Sequence, residues 1–486
     1  PTDGRVTRRH TRGETVTRFP RRSVLTWVVA ALSVAGAASA GAAKLTPQQQ
    51  RGRDLLQALV DIDTTAEHGD TTPAAQAMAR RLLDAGFPPD DVLLVGPRER
   101  NRNLVARLRG SGRQRPIVLL AHLDVVEARR EDWSVDPFHL LEKDGFFYGR
   151  GTSDIKDGAA ILTATLLRLK EEGLTPDRDL ILALTTGEES GLDYNGVAWL
   201  LKERRDLVNG AFCINMDSGD PQASNGRRFL RPVQASEKVY MSLVLETTSP
   251  GGHSSLPTKD NPIYRLAAAL GRLAAFDFPV RLNQVTRAYF RGLARLADPP
   301  APAADLEAVT ATPPDLAAAA RLSASPYFNA QLRTTCVATL LEGGHAENAL
   351  PQRARATVNC RMLPDAVPAG VEAEVRRVVA DDRVQVSVLN PALPGPASPL
   401  SPEVMDAVER TTAELWPGVP VVPVMETGAT DGKYFRAAGI PTYGVSGVFL
   451  DIDDIRAHGR DERIGVQDYY DGLEYTYRLV RALSGL

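Results

Sequence analysis

Pro116-Ile117-Val118-Leu119-Leu120-Ala121-His122-Leu123-Asp124-Val125-Val126 is an apolar run with one imidazole and one carboxylate set near its end. A continuous apolar stretch of this kind reads as a strand buried on both faces. Two more such stretches, residues 179–186 and 211–216, follow it, and each leads straight into carboxylates: Gly187-Glu188-Glu189 after the first, Asp217 after the second. Helical periodicity fills the gaps at 158–170 and 197–205, and another strand precedes at 103–108. Earlier still, Thr72-Pro73 opens a helix with Thr72 as N-cap, running through Met78, Leu82 and Leu83 to a stop near Gly86. This alternation predicts a doubly wound α/β sheet. Ligands of such sheets bind outside the carboxyl ends of the strands.

After about Pro232 the pattern changes. Strands at 239–247, 334–341, 353–363 and 384–389 and helices at 262–275 and 371–379 give the order βαββαβ, the ferredoxin-like arrangement. An Ala/Pro-rich stretch, 283–325, reads as an insertion of short helices and turns with no chemistry visible in it. A Pro/Ser linker covers 391–402, and the α/β pattern resumes near Glu403. One domain is thus expected inside another: residues 45–232 and 395–486 form the outer domain and 236–390 the inserted one. No repeat of 20–50 residues is present.

Composition excludes several classes. Hydrophobic residues at 43% and charged residues at 24% argue against a disordered chain or a multi-span membrane protein. The net charge of −3 is uneven: residues 1–40 hold seven Arg against Asp3 and Glu14, giving +5 there and −8 over the remainder. An acidic body argues against nucleic acid as a partner. Three Cys exclude a disulfide scaffold and a Cys-rich zinc module. Within residues 1–40, Arg21-Arg22-Ser23-Val24-Leu25, an apolar run to Ala38 and Ala38-Ser39-Ala40 form an export-signal pattern with a twin-arginine look. The run is shorter than the ~20 residues of a membrane span. The expectation is an exported, periplasmic or extracellular protein with no stable span after removal of the signal.

Chemistry gathers at the strand ends. His122 and Asp124, two residues apart on a strand, face the same way and suit a metal ligand with a carboxylate fixing its tautomer. Gly149-Arg150-Gly151-Thr152-Ser153-Asp154 sets a carboxylate at a glycine-lined turn before a helix, without the Lys-Ser/Thr ending of a phosphate loop. Adjacent carboxylates at Glu188-Glu189 are costly at a sheet edge unless a cation sits there. Ala457-His458-Gly459 brings a second imidazole. Two His and several carboxylates in one place match a site for two divalent metals. His68, His139 and His345 read as surface or turn residues.

The joint pattern of Ala121-His122-Leu123-Asp124-Val125-Val126, Trp133-x-x-x-Pro137-Phe138, Gly149-Arg150-Gly151-x-x-Asp154 and Gly187-Glu188-Glu189 resembles the co-catalytic zinc exopeptidase/aminoacylase family. Acetylornithine deacetylase, succinyl-diaminopimelate desuccinylase, carboxypeptidase S and carnosinase belong to that family, and the spacing around Trp133 is most similar to the carboxypeptidase S branch. The resemblance implies an α/β catalytic domain with an inserted lid and two divalent metals, zinc above all. His122 would bind one metal and His458 the other. Asp154 would bridge them, Glu189 would join His458, and Asp217 would join His122. Glu188 would be the general base on the bridging water, passing its proton to the leaving nitrogen. Asp217 stands where many deacylase and carboxypeptidase members have Glu, and Asp220 is the lesser ligand choice.

The lid also matches. Ser249-Pro250-Gly251-Gly252-His253-Ser254-Ser255 resembles the segment whose histidine polarises the scissile carbonyl, usually from a partner subunit, which implies a homodimer. Asn348 in Asn348-Ala349-Leu350-Pro351 and Arg361 in Asn359-Cys360-Arg361 resemble holders of the substrate carboxylate. Gly428 and Thr430 lie in Thr427-Gly428-Ala429-Thr430-Asp431, which resembles the substrate-contacting loop. The function implied is hydrolysis of the amide bond of a peptide or N-acyl amino acid. An acyl-amino-acid deacylase and a non-catalytic metal-stabilised binding protein are the other readings, and an intact Glu188 argues against the last. Finally, a lid hairpin centred on Asn348 sets Cys336 opposite Cys360. A bond between them is open in an oxidising compartment, two buried thiols being the other reading, while Cys213 stays free.

Overall fold

The computed structural model describes residues 44–189 and 194–486. The export signal expected at 1–40 lies outside them. A mixed sheet organises most of the chain, its strands in the spatial order Val92–Arg98, Asn101–Leu108, Leu180–Thr185, Ile117–His122, Phe212–Asn215, Thr442–Gly444, Arg227–Glu237, with Val421–Glu426 beside the last. The three strands carrying the sequence signal are mutually parallel, Ile117–His122 between the other two.

Alternation along those strands decides which layer each side chain joins. Ile117, Leu119, Ala121, Leu180, Leu182 and Leu184 face one core with the helices Pro47–Val60, Thr71–Asp84, Lys156–Glu171 and Val466–Leu483. Val118, Leu120, Ile181 and Ala183 face a second core with Val197, Leu200 and Phe435 from the helices Gly196–Glu203 and Gly432–Ala437. Both faces are covered, as parallel strands require.

Two local readings change. The helix capped by Thr72 in the sequence reading begins earlier, at Thr71, and Asp70 caps it by accepting from the Thr72 amide. The side chain two residues upstream reaches the free amides, whereas Thr72 itself already has helical backbone. The strand Val92–Arg98 goes unread because Gly96-Pro97 is a turn signal. It sits at the sheet's end, with a register shift between Val95 and Arg98, where proline is tolerated.

The chain changes sheets at Lys238, later than the composition shift at Pro232 suggests. Arg227–Glu237 belongs to the large sheet, and Val239–Thr248 opens a separate four-stranded one. Its spatial order is Thr335–Gly343, Arg353–Met362, Val239–Thr248, Gln385–Asn390, all antiparallel. The helices Pro262–Ala274 and Pro368–Val379 pack Leu266, Leu273, Val375 and Val379 against it. Cys336 and Cys360 are directly opposed in this sheet and joined by a disulfide, and Cys213 is free and buried. The insertion forms the helices Gln284–Ala294, Ala303–Ala308 and Leu316–Leu322, a fourth, Pro326–Leu332, follows it, and their core is shared with Leu230, Val422 and Val424 of the large sheet. Among the described residues no helix is long and apolar enough to cross a membrane.

Candidate active site

His122 is the last residue of its strand, Glu188 and Glu189 follow Leu180–Thr185, and Asp217 follows Phe212–Asn215. The parallel alignment brings these ends to one edge. Gly187 makes the turn there with φ +80°, and a Cβ on it would meet the Tyr194 carbonyl at 2.5 Å, so no other residue fits. His458 arrives from the other end of the chain in a left-handed backbone conformation, φ 62°, uncommon for a non-glycine residue.

Asp154 is the centre of the arrangement. Its Oδ1 lies 3.3 Å from His122 Nε2, and its Oδ2 lies 3.0 Å from His458 Nε2. Asp217 Oδ1 approaches His122 Nε2 to 3.6 Å, and Glu189 Oε1 approaches His458 Nε2 to 2.9 Å. Two donor groups sharing one carboxylate result: His122, Asp154 and Asp217, and Asp154, Glu189 and His458. Glu188 lies outside both, and it forms a third close group with His122 and Glu189. Asp220 joins none of these groups.

The Asp124 carboxylate does not hold His122. The imidazole Nδ1 is 2.9 Å from the Asp124 backbone carbonyl. The carboxylate oxygens instead accept the amides of Gly187 at 2.8 Å and Glu189 at 2.9 Å. The strand ends at His122, and the backbone beyond it brings the next-but-one carbonyl nearer the ring than the Asp124 carboxylate, whose Oδ1 is 3.9 Å from Nδ1. The outcome for the ring is the one a carboxylate would give: Nδ1 donates, and the Nε2 lone pair faces Asp154 and Asp217.

Buried polar residues hold the centre from behind. Arg150 and Glu462 form a buried ion pair at 2.5 Å, and Glu462 Oε1 accepts from the amides of Ser153 at 2.7 Å and Asp154 at 3.1 Å. Asp431, also buried, accepts from the Thr185 hydroxyl at 3.2 Å and the Asn195 amide at 2.5 Å. Thr430 is engaged within the protein: its amide and hydroxyl donate to Glu237 at 3.0 and 3.1 Å, and Glu237 pairs with Arg436 at 3.0 Å.

Crowded charge sets the protonation. Burial, then the Asp217 charge, pushes the Glu188 carboxyl well above the usual carboxylate range. Burial raises Asp217 to about 7 against the pull of His122. Hydrogen bonds to Asp154 and Glu189 raise His458 to about 10.

The donors fit divalent metal. His122 Nε2 is buried without a hydrogen-bond partner although two carboxylates face it. Imidazole nitrogens with carboxylate oxygens are the donor set of zinc and its neighbours.

One cleft beside this centre, about 530 Å³, is lined by Glu188, Glu189, Lys238, Tyr240, Arg361 and Lys433. A second, about 280 Å³, is lined by Asp154, Asp217, Gly428 and Thr430. The two meet at Ala429. Arg361, Gly428 and Thr430 therefore stand around the centre. His253 and Asn348 do not line either cleft. They sit together on the exposed ribbon where Gly252–His253 pairs with Ala349–Leu350, with the Ser254 amide on the Asn348 carbonyl at 3.1 Å.

Fold and site together define a metal-dependent hydrolase of the exopeptidase and amidohydrolase class. Residues 118–482 match the model of peptidase family M20/M25/M40, and the chain belongs to that family. The human N-fatty-acyl-amino acid synthase/hydrolase PM20D1 is 32% identical over 378 residues, which cover 75% of this chain and 74% of that protein. The M20 family metallo-carboxypeptidase of Sulfolobus solfataricus superposes with a TM-score of 0.65 at 15% identity, covering 90% of this chain and 99% of that one. The Bacillus subtilis YXEP protein, a dinuclear metal-binding peptidase, gives 0.57 at 14% identity, covering 90% and 98%.

Proposed function

We propose that the chain is an exported two-metal amidohydrolase that cleaves the amide bond of a peptide or N-acyl amino acid. The observation that carries this reading is the shared Asp154, whose two oxygens face two imidazoles from opposite ends of the chain. His122, Asp154 and Asp217 would hold one zinc ion, and Asp154, Glu189 and His458 the other. When bound, the metals supply Lewis acidity and lower the pKa of water. Glu188 takes the proton of the attacking water and gives it to the leaving nitrogen. Its elevated affinity for protons suits both halves of that task. Asp124 keeps the Glu189 turn and His122 in register.

Residues 45–232 and 395–486, the strand through Glu237 included, act as the catalytic domain, and the ferredoxin-like unit within 236–390 acts as a lid. Arg361 and Lys433 in the larger cleft suit a substrate carboxylate, with Gly428 and Thr430 shaping the opposite wall. His253 and Asn348 serve the site of a second copy. A homodimer is supported by the edge strand Thr335–Gly343, which carries Val337, Leu340 and Leu341 more than 60% exposed. An unpaired apolar edge of this kind invites a second strand. The test is hydrolysis by the metal-reconstituted protein over a panel of dipeptides and N-acyl amino acids, with metal content measured beside it. Two bound metals with no turnover of any amide would leave a binding protein.

A further inference from the structure

The helices of the insertion pack on the strands Arg227–Glu237 and Val421–Glu426 through Leu230, Phe290, Leu293, Phe328, Val422 and Val424. Between them remains a cavity of about 460 Å³, its wall mostly apolar: Leu230, Tyr289, Leu293, Phe328, Val424 and Ile452 among others. That volume lies in the range of small-molecule sites, roughly 300–1,000 Å³.

The cavity is not remote from the metal ligands. Three segments run from one to the other. Ser218 and Asp220 line the cleft that holds Asp154 and Asp217, while Gln222 and Ser224, next along the chain, line the cavity. Leu450 lines the cleft and Ile452 the cavity. Glu426 lines both. On the far side of the centre, across Ala429, lies the larger cleft with Lys433, Arg361 and Lys238. The order along the protein is therefore cationic cleft, metal donors with Glu188, apolar cavity.

We infer that this cavity is the acyl-chain subsite for N-acyl amino acids with a long apolar acyl group. Such a molecule has the same order of parts: a carboxylate at one end, the amide in the middle, a hydrocarbon chain at the other. With the carboxylate toward Lys433 and Arg361 and the amide at Glu188, the chain leads past Glu426 and Leu450 toward Val424 and Leu293. The insertion, in which the sequence shows no chemistry, supplies much of the apolar wall through Leu293, Leu296, Pro299 and Pro300, with Asp298 among them. This inference rests on the amidohydrolase reading above.

The test is a chain-length series, acetyl-, hexanoyl- and decanoyl-glycine, on the metal-reconstituted protein. Each buried methylene is expected to raise kcat/KM by about fourfold until the cavity is filled. Ile452→Trp, which narrows the cavity from a side chain 43% exposed, and Leu296→Trp, from a second wall, should each lower the decanoyl-to-acetyl ratio by about tenfold or more. A flat chain-length profile in an enzyme that turns over these substrates overturns the inference and leaves the amidohydrolase reading standing. If no amide is hydrolysed, that reading fails, and the cavity is judged by binding of 11-(dansylamino)undecanoate to the protein. Binding competed by decanoyl-glycine and weakened in both Trp variants upholds the subsite; no binding, or binding unchanged in both, overturns it.

Discussion

Glu462 and Arg150 are buried against each other, 0% and 2% exposed at their side chains, directly behind the backbone of Asp154. The pair joins a turn near residue 150 to a loop more than 300 residues later, and the same loop delivers His458. Arg150 also lies over the Trp133 ring, 5.0 Å from its centroid. A buried guanidinium of this kind is tolerable only while its carboxylate remains. Glu462→Gln leaves it uncompensated, and breaking a buried pair costs about 3–5 kcal/mol. The expected result is a large fall in thermal stability together with weaker metal binding, read by unfolding scans and metal titration. Wild-type values for both would show that the pair does not hold Asp154 in place.

Glu188→Gln should retain both metals and lose about 10²-fold or more in turnover, the lower scale of general-base catalysis. Glu189→Gln should lose metal. Metal analysis beside turnover separates the two; if Glu188→Gln loses metal and rate in proportion, the roles of the adjacent carboxylates are exchanged.

Lys238 joins the two sheets, and its ammonium donates to the carbonyls of Arg333 and Arg361. Burial, then the Arg361 charge, lowers its pKa from 10.5 to about 7. Between those values the unfolded chain binds more protons than the folded one, so this group makes stability rise with pH in that window. Denaturant unfolding of wild type and Lys238→Met, compared at about pH 7 and pH 10, should show wild type gaining on the variant as pH rises. Parallel pH dependences would mean that Lys238 titrates normally in the fold.

The cross-strand disulfide gives a direct chemical expectation. Denatured, unreduced protein should titrate one thiol, that of Cys213, and reduction should release two more. Three thiols before reduction would contradict the bond. In the same preparation from an exporting host, N-terminal sequencing should place the mature start near Gly41; a soluble cytosolic protein retaining Pro20 would remove the export reading.

Three of the proposed metal ligands, His122, Glu189 and Asp217, were legible in the sequence because they close apolar runs, and parallel strands bring such ends together; Asp154 and His458 lie in turns and loops. The supporting groups were not legible. Glu462 has no local pattern, and its significance comes from a partner 312 residues away. The Asp124 carbonyl that orients His122 is backbone, invisible in a side-chain code. Thr430 looked like a substrate contact, yet its hydroxyl is committed to Glu237. The cavity in the insertion is built from leucines, valines and aromatics that read as ordinary core, because an apolar wall and an apolar core use the same residues.

His253 carries the remaining expectation. Within this chain it is exposed on the lid ribbon, its Nδ1 2.7 Å from the Ser255 hydroxyl, and it lines neither cleft beside Glu188. Amide hydrolysis develops an oxyanion, and removing a donor aimed at it typically costs ~2.7–4 kcal/mol. Among the described residues that line the larger cleft, the basic side chains Lys238, Arg361 and Lys433 and the tyrosines Tyr240 and Tyr434 are the nitrogen and hydroxyl donors. If His253 supplies the donor in trans, His253→Ala and Glu188→Gln homodimers are each inactive, whereas a mixed dimer holds one site with both residues intact. Activity should then return on mixing to a fraction of wild type, and sedimentation should show a dimer. An inactive mixture, with subunit exchange proven by differently tagged chains, would mean that His253 acts within its own chain or plays no part in the reaction.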